Sequence, residues 1–194
     1  MIAGGIGAGK TAVTERLRAL GFAVVDADVV AHHITERGLP ALQALNDAFG
    51  DAILGEDGSL DRAFMADVVF HDASALRRLN NVTHGYIGLE ILDQLKNVEG
   101  DAAFIALPLF SPEHRVALSL DQVWAVLVKP DTALDRLVRL RGFSEDDARA
   151  RLANQMSNDE RAEIVDRVIW NEDRIEDLYR ELDAALDASG LRRG

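Results

Sequence analysis

After Gly9, apolar residues recur near every fourth position, at Val13, Leu17 and Leu20, and the pattern stops at Gly21. That spacing lines one face of a helix, and a glycine just past the last apolar position is a usual stop. Phe22 to Val25 reads as a short buried strand, and the apolar, β-branched and aromatic runs Ala102 to Leu107 and Val123 to Val128 predict two more. Val168 to Trp170 is a last short strand candidate. Helical patterns fill the intervals at Asp28 to Arg37, Pro40 to Phe49, about Leu60 to Phe70, and Ser74 to Leu95, the last with a kink expected near Gly85 and Gly88. The segment from Leu54 to Ser59 carries turn residues. Three more helices are predicted at Pro130 to Arg141, Ser144 to Met156 and Arg174 to Ala188, the second opening on Ser144 with Asp147 three positions on, much like a capping box.

Strands alternating with helices predict an α/β fold, a parallel β-sheet with helices on both faces. No repeat, low-complexity tract or linker interrupts the chain, so one domain over 1–194 is expected. The strands assign its core to about 1–27, 100–130 and 165–194. The helices of about 28–95 are then a helical insertion on the substrate side, and the pair of about 136–156 a lid.

Of 194 residues, 48% are hydrophobic and 28% charged, a globular balance for a chain that buries about 70% of its unfolded surface. The absence of cysteine excludes disulfides, thiolate chemistry and zinc–cysteine sites. There is no run of 18 apolar residues and no basic, apolar leader, so no membrane association is expected and a cytoplasmic location is. A net charge of −12 would repel a polynucleotide, which argues against a nucleic acid partner but allows a small anion in a locally positive pocket. Only three of the 21 basic residues are lysines (Lys10, Lys96 and Lys129), which singles out Lys10. No oligomeric state follows from the sequence.

Lys10 falls in Gly4, Gly5, Ile6, Gly7, Ala8, Gly9, Lys10, Thr11, a match to the phosphate-loop pattern G-x-x-x-x-G-K-[ST]. Glycines let the backbone wind until successive N–H groups face phosphate oxygens, and the following helix adds its positive end. Lys10 is placed to reach the β and γ phosphates of ATP, and the Thr11 hydroxyl to ligate Mg²⁺. The strand entering the loop spans only Met1 to Ala3, which leaves open a start upstream; a shortened first strand is expected to weaken the sheet centre without removing the phosphate ligands.

Beyond the loop, Val25, Asp26, Ala27 and Asp28 follow the second strand, Leu60, Asp61 and Arg62 form a second element, and His84 a third. Arg136 and Arg141 with Gly142 lie on the predicted lid, and Gln155 and Asp166 to Asn171 close the series. In this order and spacing the chain resembles the dephospho-coenzyme A kinase family over nearly its whole length. It departs from the family pattern at Gly85, which stands where a proline follows the histidine. It departs again at Leu107 to Glu113, where the family's glutamate is displaced or absent, and in the arginine pair, five apart rather than four, with Arg139 as a substitute for one member.

The resemblance implies ATP-dependent phosphorylation of the 3′-hydroxyl of dephospho-coenzyme A. It makes Asp28 the base for the attacking hydroxyl, against a helix-capping role. Arg136 and Arg141 become lid arginines on the ATP phosphates, Arg62 and His84 substrate-side residues, and Asn171 the reader of adenine. The plainer readings are a surface ion pair for Arg62, a core histidine at His84 and a turn role for Asn171. Trp124 and Trp170 are expected in the core. Two rival functions stay open: a related kinase for another small nucleotide or nucleoside, and a nucleotide-binding protein without transfer activity.

Overall fold

In the computed structural model, which describes residues 1–100, 102–108, 110–172 and 174–191, five strands form one all-parallel sheet. The chain runs β1 (Ile2–Gly4), α1 (Lys10–Ala19), β2 (Ala23–Asp26), α2 (Ala27–His33), α3 (Pro40–Phe49), a 3-10 turn (Asp51–Ile53), α4 (Arg62–His71) and α5 (Ala73–Lys96). It continues through β3 (Ala103–Ala106), α6 (Pro112–Ala117), β4 (Trp124–Leu127), α7 (Pro130–Arg141), α8 (Glu145–Ala153), α9 (Asn158–Glu163), β5 (Arg167–Trp170) and α10 (Ile175–Ala188). The order across the sheet is β2-β3-β1-β4-β5. The α/β fold with a parallel sheet is the one the alternation predicts.

The chain folds into two compact units. The first holds Met1–Asp26 and the described residues of Val98–Gly194, and so the whole sheet. Successive side chains of a strand point to opposite faces. Ile2, Trp124, Val126 and Ile169 meet Val13 and Leu17 of α1 and Leu178, Leu182 and Leu186 of α10 in one core. On the other face Ala3 and Ala125 line a cleft with Met156, Arg161 and Ile164. Cover on both sides is why the four residues of β4 are all buried and apolar. Leu17 is fully buried, so truncating it to alanine should cost roughly 2–5 kcal/mol. The short β1 is a central strand. It pairs with β4 at Ile2, Ala3 and Gly4 but with β3 only at Ile2.

Trp124 is core, 2% exposed, but Trp170 is not: it is 45% exposed. β5 is an edge strand, and Ile169 takes the buried face while its neighbour Trp170 points the other way. The helix expected over Ser144 to Met156 is shorter in the structure, and a second helix that the pattern does not predict follows it. The structure ends α8 at Ala153 and starts α9 after Ser157, whose hydroxyl and Glu160 form a reciprocal capping box.

The second unit, Ala27–Asn97, is helical. α5 runs unbroken through Gly85 and Gly88 and contacts α2, α3 and α4. Leu45, Ile53 and Met65 form the buried centre, closed by Phe49, Leu60, Leu79 and Val82. α2 ends at His33, short of the Arg37 expected. There the Thr35 hydroxyl donates to Ala31 O and His32 O, each at 3.0 Å, and the backbone tightens to an i→i−3 bond from Glu36 N to His33 O at 2.9 Å.

Candidate active site

The loop between β1 and α1 is held in shape by residues that have no freedom to be anything else. Gly7 and Gly9 have φ of +78° and +91°, in the left-handed region that side chains avoid. Gly9 caps α1 and brings no side chain, so the first N–H groups of the helix are presented to a ligand rather than to a capping oxygen. Ala8 N donates to Gly5 O at 3.2 Å, closing the turn. Lys10 Nζ folds back to Gly4 O at 3.3 Å, which stations an ammonium at the mouth of the loop.

Three elements grip the loop from outside. Gln155 Oε1 accepts from Ile6 N at 3.0 Å. Ala133 of α7 lies against Gly7, where a Cβ would come within 3.2 Å of Ala133 O. Asn171, which is buried, donates from Nδ2 to Ala8 O at 2.8 Å. Arg136 ties two of these together: its guanidinium donates to Gly7 O (3.3 Å), Asn171 O (2.9 Å) and Asn171 Oδ1 (3.3 Å).

Of the residues singled out in the sequence, Gly5, Ile6, Gly7, Ala8, Gly9, Lys10, Arg136 and Asn171 therefore come together in one cluster. Thr11 is exposed on the first turn of α1, and its carbonyl accepts from the Thr14 hydroxyl at 2.9 Å. Arg141 is exposed at the end of α7, where Gly142 takes the left-handed cap at φ 71°. Arg139 pairs with Asp135 at 3.5 Å, both exposed.

Asp28, Arg62 and His84 belong to the helical unit. Asp28 is exposed in the first turn of α2. Arg62 donates to His32 O (3.0 Å) and to the Thr35 hydroxyl (2.8 Å), so its partners are neutral oxygens rather than a surface carboxylate. His84 is exposed on α5 and is not a core histidine. In the segment 107–113, Leu109 lies outside the described residues. Pro112 starts α6, a short helix that the sequence reading did not separate from the motif.

Asp166 stitches β4 to β5. Its carboxylate accepts from Val123 N at 2.6 Å and from Arg115 at 2.7 Å, and its own N–H donates to Val123 O. Partial burial works against the charge, but these hydrogen bonds outweigh it and hold the carboxyl below its usual range. Arg161 was missed by the sequence reading. It is 9% exposed, and desolvation lowers its pKa.

A parallel sheet with a glycine loop, an invaginated lysine and a helix start at the end of its central strand defines a P-loop kinase. A family model for dephospho-CoA kinase matches residues 1–177. The dephospho-CoA kinase of Streptomyces avermitilis is 40% identical over 182 residues, covering 93% of this chain and 88% of its own. A solved structure from Thermus thermophilus superposes with a TM-score of 0.80 at 29% identity, covering 96% of this chain and 95% of that one. The dephospho-CoA kinase of Campylobacter jejuni superposes with a TM-score of 0.70 at 26% identity, covering 97% and 94%. The chain belongs to the dephospho-CoA kinase family.

Proposed function

We propose that this chain transfers the γ phosphate of ATP to the 3′-hydroxyl of dephospho-coenzyme A, giving coenzyme A and ADP. The observation that carries the ATP half is the loop itself: left-handed Gly7 and Gly9, an α1 start without a side-chain cap, and Lys10 at the mouth. Phosphoryl transfer asks mainly for positioning and charge neutralisation, and these groups supply both. Lys10 offsets charge on the β and γ oxygens. Arg136, already fixed on the loop by Gly7 O and Asn171, adds a guanidinium whose remaining donors can face phosphate. Asn171 contributes to ATP binding by clamping Ala8 and Arg136; its amide keeps a second N–H and a second lone pair for the adenine contact that the family resemblance assigns to it.

Magnesium fits this donor set. The exposed Thr11 hydroxyl is the kind of neutral oxygen a hard dication takes beside phosphate oxygens, and the bound ion would neutralise phosphate charge. For the acceptor, the family resemblance assigns Asp28 as base and Arg62 and His84 as substrate-side groups, with 28–95 as the acceptor insertion and 136–156, including Arg141, as the lid. The cytoplasm is the proposed location.

The test is ADP release on the purified chain with dephospho-coenzyme A, adenosine, AMP or pantetheine phosphate as acceptor. Turnover with dephospho-coenzyme A at least tenfold above the others supports the reading. Preference for another acceptor, or tight ATP binding with no turnover on any, overturns it.

A further inference from the structure

A guanidinium that sits 9% exposed on a six-residue helix, and that donates to two neutral oxygens, has to be explained. Arg161 Nε donates to Met156 O at 3.2 Å and Nη2 to Gln155 Oε1 at 3.2 Å. Burying a cation against neutral acceptors is unfavourable, and a methionine or leucine would fill the same space without that cost. What an apolar side chain cannot do is dictate which end of the Gln155 amide faces the phosphate loop.

The amide of Gln155 has two ends of opposite character. Oε1 accepts from Ile6 N at 3.0 Å, and Nε2 donates to Arg151 O at 3.2 Å. Rotated by half a turn, the amide would point Nε2 at the Ile6 N–H and lose that bond. Arg161 carries donors only, so its Nη2 is compatible with Oε1 in that position and not with Nε2. The pair also forms the surface on which the loop rests. A Cβ on Gly5 would come within 2.7 Å of Gln155 Oε1 and 3.1 Å of Arg161 Nη1.

We propose that Arg161 is a positioning residue for ATP: by fixing the Gln155 carboxamide it holds Ile6 N–H, and so the entry to the phosphate loop, in the conformation that binds the nucleotide phosphates. The inference rests on the reading of this loop as the ATP site. It assigns no contact between Arg161 and substrate.

The experiment compares Arg161→Met, Arg161→Lys, Gln155→Leu and the double variant Arg161→Met/Gln155→Leu. The readouts are the KM for ATP and for dephospho-coenzyme A, the Kd for ADP by calorimetry, and thermal unfolding. Arg161→Met is expected to raise the KM for ATP and the Kd for ADP about tenfold, the scale of one lost charge-assisted hydrogen bond, with the acceptor KM changed less than about twofold. Lysine keeps the charge and one donor, so Arg161→Lys should fall between wild type and Arg161→Met. Because the two residues act through one bond, the double variant should match Gln155→Leu within about twofold instead of multiplying the two losses. ATP and ADP constants unchanged in Arg161→Met, or losses that multiply, overturn the proposal. If Arg161→Met does not fold, Arg161→Lys decides: a raised KM for ATP at an unchanged melting temperature supports the proposal, and a normal KM overturns it. ADP calorimetry needs no acceptor, so failure to phosphorylate dephospho-coenzyme A would remove the proposed function while leaving this inference standing or falling on its own numbers.

Discussion

The carboxamide nitrogen of Asn171 stands in the space that a side chain on Gly9 would need, and from there it donates to Ala8 O at 2.8 Å. Two segments 162 positions apart thus meet with no room for a methyl group. Asn171 follows the last residue of β5, and its own N–H is spent on Leu127 O at 2.9 Å, so the edge of the sheet fixes its position. The conformation of the phosphate loop is therefore secured from the sheet as well as by its own glycines.

Gly9→Ala meets two penalties at once, a φ of +91° and a collision with Asn171. We expect a loss of stability of about 1–3 kcal/mol from backbone strain alone, with ADP affinity falling further as the loop shifts. Urea unfolding and ADP calorimetry on the variant measure both. An unchanged ADP Kd would mean that the loop can bind phosphate in another conformation.

Lys10→Ala and Thr11→Ala should nearly abolish turnover while leaving the unfolding midpoint close to wild type, since neither side chain is buried in the core. Asp28→Asn keeps the shape of the side chain and should lose turnover by a factor on the order of a hundred with ATP affinity little changed. If ATP binding collapsed while turnover per bound ATP survived, Asp28 would be a structural residue of α2.

The parts of this fold that were legible are those in which one local signal suffices. Pro40 at the first turn and Gly50 just past the end bound α3 at the residues expected, and the apolar run of β4 needed only length and β-branching. The glycines and lysine of the phosphate loop carry their chemistry in their order. Short helices were not legible in the same way. α9 has six residues and no apolar stripe, and its one usable signal, Ser157 followed by Glu160, falls just past the helix expected to end at Met156, with no apolar run after it to mark a new helix. Nor was Arg161. On a segment as polar as 158–163 it looks like a solvated charge, and only packing against Gly5 and Gln155 reveals that it is buried.

Gly85 and Gly88 sit inside α5, and a Cβ at either would meet nothing within 4 Å. Each glycine costs an exposed helix interior roughly 0.5–1 kcal/mol relative to alanine. Gly85→Ala and Gly88→Ala should each stabilise the protein by about that amount in urea unfolding. A variant that gains stability but raises the KM for dephospho-coenzyme A would place that face of α5 at the acceptor; destabilisation by either would contradict the open space.

The carboxyl of Asp166 is held below its usual range, so its contribution to stability is present above the unfolded pKa and lost as pH falls through the lower folded value. Asp166→Asn should cost about 1 kcal/mol at neutral pH, discounted because the pair with Arg115 is more than one-third exposed on the aspartate side. The difference between wild type and variant should shrink below about pH 4 as the wild-type carboxyl gains its proton. Urea unfolding at several pH values between 2.5 and 7, on the order of the range where both proteins remain measurable, gives the curve. A difference independent of pH would mean that the charge of Asp166 contributes nothing.

The three arginines of α7 should separate by what they touch. Arg136 is bonded to Gly7 O and Asn171 at the phosphate loop, so Arg136→Ala is expected to lower both ATP affinity and turnover, by about tenfold or more in kcat/KM. Arg139 spends its charge on Asp135, an exposed pair of the kind that contributes little, and Arg139→Ala should stay within about twofold of wild type. Arg141 ends the helix, beside the left-handed Gly142, and in the proposed lid role it closes on the phosphates as the α7–α8 corner moves. Arg141→Ala should therefore reduce kcat with little change in ATP affinity. Amide exchange supplies the independent measurement of that motion. Residues 130–137, which carry buried Ala133 and Leu137, should be protected already, whereas 139–156 should gain protection when a non-hydrolysable ATP analogue and dephospho-coenzyme A bind together. If 139–156 is as protected in the free protein as in the complex and Arg141→Ala turns over normally, the α7–α8 pair is scaffold, and charge at the transferring phosphate comes from Lys10 and Arg136 alone.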